Sequence, residues 1–234
     1  MSESKILELR GLLEAKIARD RMGPQELARQ PFDQVPFWVV DVETTGSFSE
    51  AHRVIEVAAI KVQSGEMQRV IHTLVNPGLM VPLWIQQFTG ISNQMVAAAP
   101  KSEEVFPWLA SHLKTGVFVA HSVNFDRNFI DYEISRLSLK ALKTDTLCTV
   151  RLSRRLIFDC RGHSLDSLAD YFGLEFGRAT GPSSRHRALG DAWVCARAFL
   201  SLLELSQKIG VRTFAELKQL ESLPIKKAKK LWKV

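Results

Sequence analysis

Residues 37–46, FWVVDVETTG, decide how the rest of the chain is read. The first half is a wholly apolar run, the pattern of a strand buried on both faces. The second half puts Asp41 and Glu43 at the end of that strand. Side chains alternate along a strand, so the two carboxylates point the same way. Two like charges held about 4 Å apart cost roughly 4 kcal/mol at an effective dielectric of 20, so something cationic belongs between them. Thr44-Thr45-Gly46 follows, a tight turn with two hydroxyls and an unobstructed backbone. A single acid at a strand end is ordinary solvation. Two on one side, running into such a turn, make a candidate site.

Upstream, residues 1–35 read as a helical packing arm. Ile6, Leu9, Leu13 and Ile17 are spaced for one helix face, and Pro24 opens a second, short helix. Downstream, 53–62 and 67–75 read as strands joined by a hairpin turn containing Gly65. Residues 117–120, VFVA, form another fully apolar strand. Helices are expected over 102–113, 125–137, 145–157, 164–172 and 188–208. Strands come first and then alternate with helices, which predicts an α/β sheet with helices on both faces.

Two more acidic groupings stand at predicted element junctions. HSVNFD, residues 121–126, follows the strand VFVA and places Asp126 at the start of a helix. Asn124 alone can cap that helix, which leaves Asp126 free for another role. HRALGD, residues 186–191, puts His186 five residues before Asp191 across a loop-to-helix junction. Each grouping alone is ordinary capping or surface chemistry.

The 234 residues carry 31 Lys and Arg against 25 Asp and Glu, with 46% hydrophobic residues, an ordinary globular composition. Residues 207–234 hold eight basic residues against two acidic ones, so this tail carries the whole net charge of +6. A basic tail on a neutral body points either to a polyanion partner or to a solvated helix face. No apolar run exceeds five residues, which predicts no membrane span. The charged N-terminus lacks the apolar core of a signal peptide, and Cys148, Cys160 and Cys195 have no metal-ligand spacing. A cytoplasmic protein with reduced thiols is expected. A Walker A sequence, a nucleophile elbow and zinc-finger spacing are all missing from the sequence.

In their order and placement, VVDVETTG, HSVNFD and HRALGDA resemble the three exonuclease motifs of the DEDDh (DnaQ-like) exonucleases, members of the ribonuclease H-like superfamily. FTGIS at 88–92, DTL at 145–147 and HSLDSLADYFGL at 163–174 are similar to further family segments. The chain most resembles the proofreading exonuclease of bacterial replicative DNA polymerases, the epsilon or PolC type.

The resemblance implies a mixed five-stranded sheet and an exonuclease domain over 36–206. It implies hydrolysis at the 3′ end of DNA with release of 5′-mononucleotides. Asp41, Glu43, Asp126 and Asp191 would hold two divalent cations, and all-oxygen ligands favour Mg²⁺ or Mn²⁺. His186 would be the general base. The turn Thr44, Thr45 and Gly46 would hold the 3′-terminal nucleotide, with Phe88, His121, Asn124 and Phe125 lining the strand. RNA is the rival substrate, and a module that binds nucleic acid without turnover is the rival class. A DNA polymerase subunit is one candidate partner; a sliding clamp is another, because QLESLPI at 219–225 loosely resembles a clamp-binding peptide. Ser122 and Gly190 depart from the motifs, where Asn and an acidic residue are common; neither departure touches the proposed ligands or base.

Overall fold

The computed structural model describes residues 24–176 and 185–231. The helix expected over residues 4–20 lies outside them. After a short helix α1 (Pro24–Arg29) and a 3₁₀ turn come the strands β1 (Phe37–Thr44), β2 (Val54–Gln63) and β3 (Glu66–Leu74). Helices α2 (Leu83–Thr89), α3 (Asn93–Ala97) and α4 (Ser102–Leu113) lead into β4 (Val117–Ala120) and α5 (Val123–Arg136). Strand β5 (Thr146–Cys148) runs into α6 (Thr149–Leu156), followed by α7 (Leu165–Phe172), α8 (Ala188–Lys208), α9 (Phe214–Ser222) and α10 (Ile225–Leu231).

The five strands lie in the order β3-β2-β1-β4-β5, with β2 antiparallel to both neighbours and β1, β4 and β5 mutually parallel. β1 is central because its residues can be buried on either face. Phe37 and Val39 enter a core formed with α6, α7, α8 and α9, while Trp38, Val40 and Val42 enter a second core with α4 and α5. The mixed sheet with helices on both faces is therefore as expected. At the β2–β3 turn Ser64 and Gly65 both take positive φ (55° and 76°), the twist that suits a two-residue hairpin.

The sequence reading needs one correction here: the single helix expected over 145–157 is a strand and a helix. Thr146–Cys148 pairs with Phe118–Ala120 before the chain turns helical at Thr149. Three residues are too few to show a period, so the amphipathic pattern of the following helix absorbs them. The edge strand is held from outside as well, because Glu221 of α9 accepts a hydrogen bond from the Cys148 N–H at 2.7 Å.

Both flanks pack onto this body. The Phe32 N–H donates to the Arg212 carbonyl (2.9 Å) and the Phe214 N–H to that of Gln30 (3.0 Å), tying the two flanks together. Thr213 and Glu216 close a capping box at the start of α9, whose Phe214, Leu217 and Leu220 enter the core. The clamp-like segment 219–225 thus has Leu220 at 2% exposure, and a clamp could take that side chain only by pulling it from the core. Among the described residues no helix is long and apolar enough to cross a membrane.

Candidate active site

β1 is longer than its parallel neighbour. It pairs with β4 only over Phe37–Val39, so beyond Val40 one edge of β1 is open at the carboxyl ends of the strands. In open α/β sheets that crevice is where ligands bind. Here the Val42 N–H, left without a strand partner, donates to Asp126 Oδ1 at 3.2 Å. The crevice widens into an open cleft of about 400 Å³, lined by Asp41 and Glu43 from β1, Asp126 from α5 and Asp191 from α8. Oxygens of Asp41, Glu43 and Asp191 lie within 4.8 Å of one another.

Four carboxylates in one cleft cannot all ionise cheaply. Burial, reinforced by Asp126, Asp191 and Glu43, pushes the Asp41 carboxyl well above the usual range. Burial and the charge of Asp191 bring Glu43 to about 8. Burial brings Asp126 to about 7 and Asp191 to about 6. The group that opposes this is Arg185, which lowers Asp41, Glu43 and Asp191 alike. Its guanidinium bridges Asp191 and Asp166, holding both Asp166 oxygens at 2.8 and 3.0 Å, and stacks on Phe176 at 5.3 Å. Even so, among the described residues Asp191 Oδ1 is buried without a hydrogen-bond partner. An orphaned oxygen in an all-carboxylate set that holds excess protons fits a hard divalent cation.

Of the residues the sequence reading assigns to the substrate, Thr44, Gly46, Phe88, His121 and Phe125 line this cleft. Thr45 does not. It is buried, its hydroxyl accepts from the Arg53 N–H (3.0 Å) and its own N–H reaches the Arg53 carbonyl (2.9 Å), closing the loop 45–53. A Cβ at Gly46 would sit 2.2 Å from the His52 ring, so any other residue there must displace that ring. Asn124 is exposed on the first turn of α5 and caps nothing; the helix starts after Ser122, which makes no side-chain cap bond. His186 stands at the rim with its ring on Phe88 (centroids 4.0 Å apart) and its backbone at φ 60°. Burial and the neighbouring Arg185 hold its imidazole below the ordinary range.

Three contributors escaped the sequence reading. Trp84 lines the cleft four residues before Phe88, a helical spacing that could have revealed it. Arg185 sits beside His186 but belongs to no motif. Glu56 interrupts the apolar run VIEVAAI, and an acid there needs a partner. It is fully buried and accepts from Arg187 (2.6 Å), His72 (2.8 Å) and the Ala188 N–H (2.9 Å). That pins the start of α8 directly behind His186.

A mixed sheet with a carboxylate cleft beyond the ends of β1 and β4 is the ribonuclease H-like architecture that the sequence reading expects. Comparison with known proteins makes the assignment specific: residues 38–199 match the family described as Exonuclease (RNase_T), and the chain belongs to that family. The chain is 36% identical over 181 residues to the DNA polymerase III PolC-type protein of Caldanaerobacter subterraneus subsp. tengcongensis, covering 77% of this chain and 12% of that one. It thus spans only about an eighth of the length of its PolC-type relatives. To the DNA polymerase III epsilon subunit of Aquifex aeolicus it is 35% identical over 186 residues, covering 79% of this chain and 89% of that one. Among solved structures it is similar to exonuclease X in complex with 5′-overhanging duplex DNA. There the TM-score is 0.59 at 25% identity, covering 73% of this chain and 93% of the other.

Proposed function

We propose that this chain is a 3′–5′ exonuclease that removes 5′-mononucleotides from the 3′ end of single-stranded or frayed DNA, in proofreading or repair. The observation that carries the reading is the convergence of Asp41, Glu43, Asp126 and Asp191 on one cleft with His186 at its rim. The four carboxylates would hold two divalent ions, Mg²⁺ or Mn²⁺. When bound, such ions supply Lewis-acid activation of water and charge stabilisation at the phosphate.

The chain's own residues do the rest. Thr44 donates its hydroxyl to the Gly46 carbonyl (2.6 Å), which fixes the turn so that its backbone faces the terminal nucleotide. Phe88, Phe125 and Trp84 offer ring faces to bases. His186, kept neutral at physiological pH, takes the proton from the attacking water as the bond to the 3′ oxygen breaks. The shortened strand keeps its 3′-hydroxyl. Relatives named for DNA polymerase III support DNA over RNA and a polymerase assembly as the setting.

The test is hydrolysis of 5′-labelled single strands of DNA and RNA, with Mg²⁺ or Mn²⁺ and in a chelator. Stepwise shortening of DNA that stops in the chelator is expected. Cleavage surviving chelation overturns the two-ion reading, and faster loss of RNA overturns the substrate.

A further inference from the structure

The cleft does not use the cationic excess near the C-terminus, but the fold gives it a definite place. α10 packs along α6, anchored by the fully buried Ala228 and by Arg155, which donates to the Leu223 carbonyl at 2.7 Å. Lys226, Lys227, Lys229 and Lys230 are all exposed on α10, and Arg154 is exposed on α6. Among the described residues none of these five makes an ion pair; Lys229 lies over the Phe158 ring at 5.7 Å instead. The five cations outnumber the acids near them: Glu221 is turned inward to Cys148, Arg151 and Lys218, and Asp159 accepts a hydrogen bond from Tyr171. Burial and its neighbours Arg151 and Arg154 push the Arg155 guanidinium down, with Glu221 opposing.

Five exposed cations on two packed helices could be simple solvation if nothing tied those helices to the cleft. α6 is tied to it. α6 begins at Thr149, whose hydroxyl shares a hydrogen bond with cleft-lining His121 (2.9 Å). One turn on, Ser153 bonds His163 (3.0 Å), the residue before cleft-lining Ser164. At 1.5 Å rise per residue Arg154 is about 8 Å along the helix from Thr149. That is two or three phosphates at about 3.4 Å each along a stacked strand. A strand of a few nucleotides is therefore long enough to reach from the cleft to Arg154.

We propose that the face formed by α6 and α10 binds the sugar-phosphate backbone of the substrate strand upstream of its reactive 3′ end. The inference rests on the exonuclease reading and adds a second, sequence-independent site to it. Arg154 takes the phosphates nearest the cleft, and the α10 lysines take those further out.

The experiment is fluorescence-anisotropy binding of labelled dT12 and dT3 over stepped salt. It compares the full chain with the variant K226Q/K227Q/K229Q/K230Q, whose changed side chains are all exposed. At about 0.7 per contact on single strands, losing four contacts should lower the salt slope for dT12 by roughly 2–3. It should also weaken dT12 binding at least tenfold at physiological salt while leaving dT3 binding and dT3 turnover unchanged. An unchanged slope and affinity for dT12 overturns the proposal and leaves the lysines to an acidic protein partner or to solvent. Hydrolysis of dT3 by both proteins keeps the two readings apart. If neither protein cleaves dT3 with Mg²⁺, the exonuclease reading fails, and the dT12 slope still decides the binding face.

Discussion

Glu43 and Glu56 stand directly opposite each other on β1 and β2. They are the same residue type, and burial raises the proton affinity of both, yet Glu43 is pushed up to about 8 and Glu56 drawn down to about 2. The difference lies in their partners. Hydrogen bonds from His72, Arg187 and the Ala188 N–H outweigh the burial of Glu56. Glu43 faces Asp191, Glu56 itself and Asp126, and the main charge that offsets them is Arg185. One carboxylate is satisfied by the fold; the other keeps an uncompensated repulsion, which the proposed divalent cations would relieve. Stability and function separate along that line, and each expected outcome below tests it.

The largest effect belongs to the cleft. Asp41→Asn should abolish turnover while the metal-free protein keeps or raises its melting temperature, since one source of repulsion is gone. A lower melting temperature would mark Asp41 as structural. Next comes His186→Ala, expected to cost about 10²–10⁴ in rate and to flatten the acid limb of the pH–rate profile. Its ring on Phe88 is exposed enough that the fold should not notice.

On the other side of the comparison, Glu56→Ala should act through stability. Losing one partner of a buried ion pair costs roughly 3–5 kcal/mol, and the low end applies because Arg187 keeps 30% exposure. Denaturant unfolding measures it, and a loss under about 1 kcal/mol would break the contrast with Glu43.

The pH dependence of metal-free stability follows. Unfolded Asp and Glu ionise near 4, whereas Asp191, Asp126 and Glu43 hold their protons to about 6, 7 and 8. Between those limits the native state binds more protons than the unfolded one, so stability falls as pH rises from about 4 through about 8. Glu56 has the opposite sign and loses its contribution progressively as pH falls from about 4 through about 2. Thermal scans without metal at pH 5.5 and pH 8 should show the lower melting point at pH 8. Added Mn²⁺ should raise it most there.

Much of this was legible in the sequence because burial and charge leave local marks. FWVV and VFVA announced the two central parallel strands. Four carboxylates at a strand end or helix starts pointed to one cleft only when their order was read together through the family resemblance. What stayed hidden depends on partners distant in the chain. Nothing near Thr45 says that its hydroxyl will close a loop on Arg53, and β5 exists through its pairing with β4 and the reach of Glu221. The excess basic charge was countable in the tail, but its position beside α6 follows from the docking of α9 and α10.

The smallest effect concerns Arg185, the cation the cleft already contains. It joins Asp191 to Asp166 and lowers the proton affinity of three cleft carboxylates. Unit charges about 4 Å apart interact by roughly 4 kcal/mol at an effective dielectric of 20. That figure must be discounted here, because Arg185 is 28% exposed and keeps Asp166 as a partner when a divalent ion arrives. Removing it has two opposed consequences. A competing positive charge disappears, which tightens metal binding, but the carboxylates then hold their protons to higher pH, which weakens it. At pH 8.5 few protons compete and the first consequence wins; near pH 6.5 the second cancels it. Arg185→Ala should therefore bind Mn²⁺ about three- to tenfold more tightly at pH 8.5, a gain of roughly 1 kcal/mol, and show little change at pH 6.5. Calorimetric Mn²⁺ titration at both pH values measures this directly. Weaker binding at pH 8.5 would show that Arg185 organises the carboxylates for the metal instead of standing in its place.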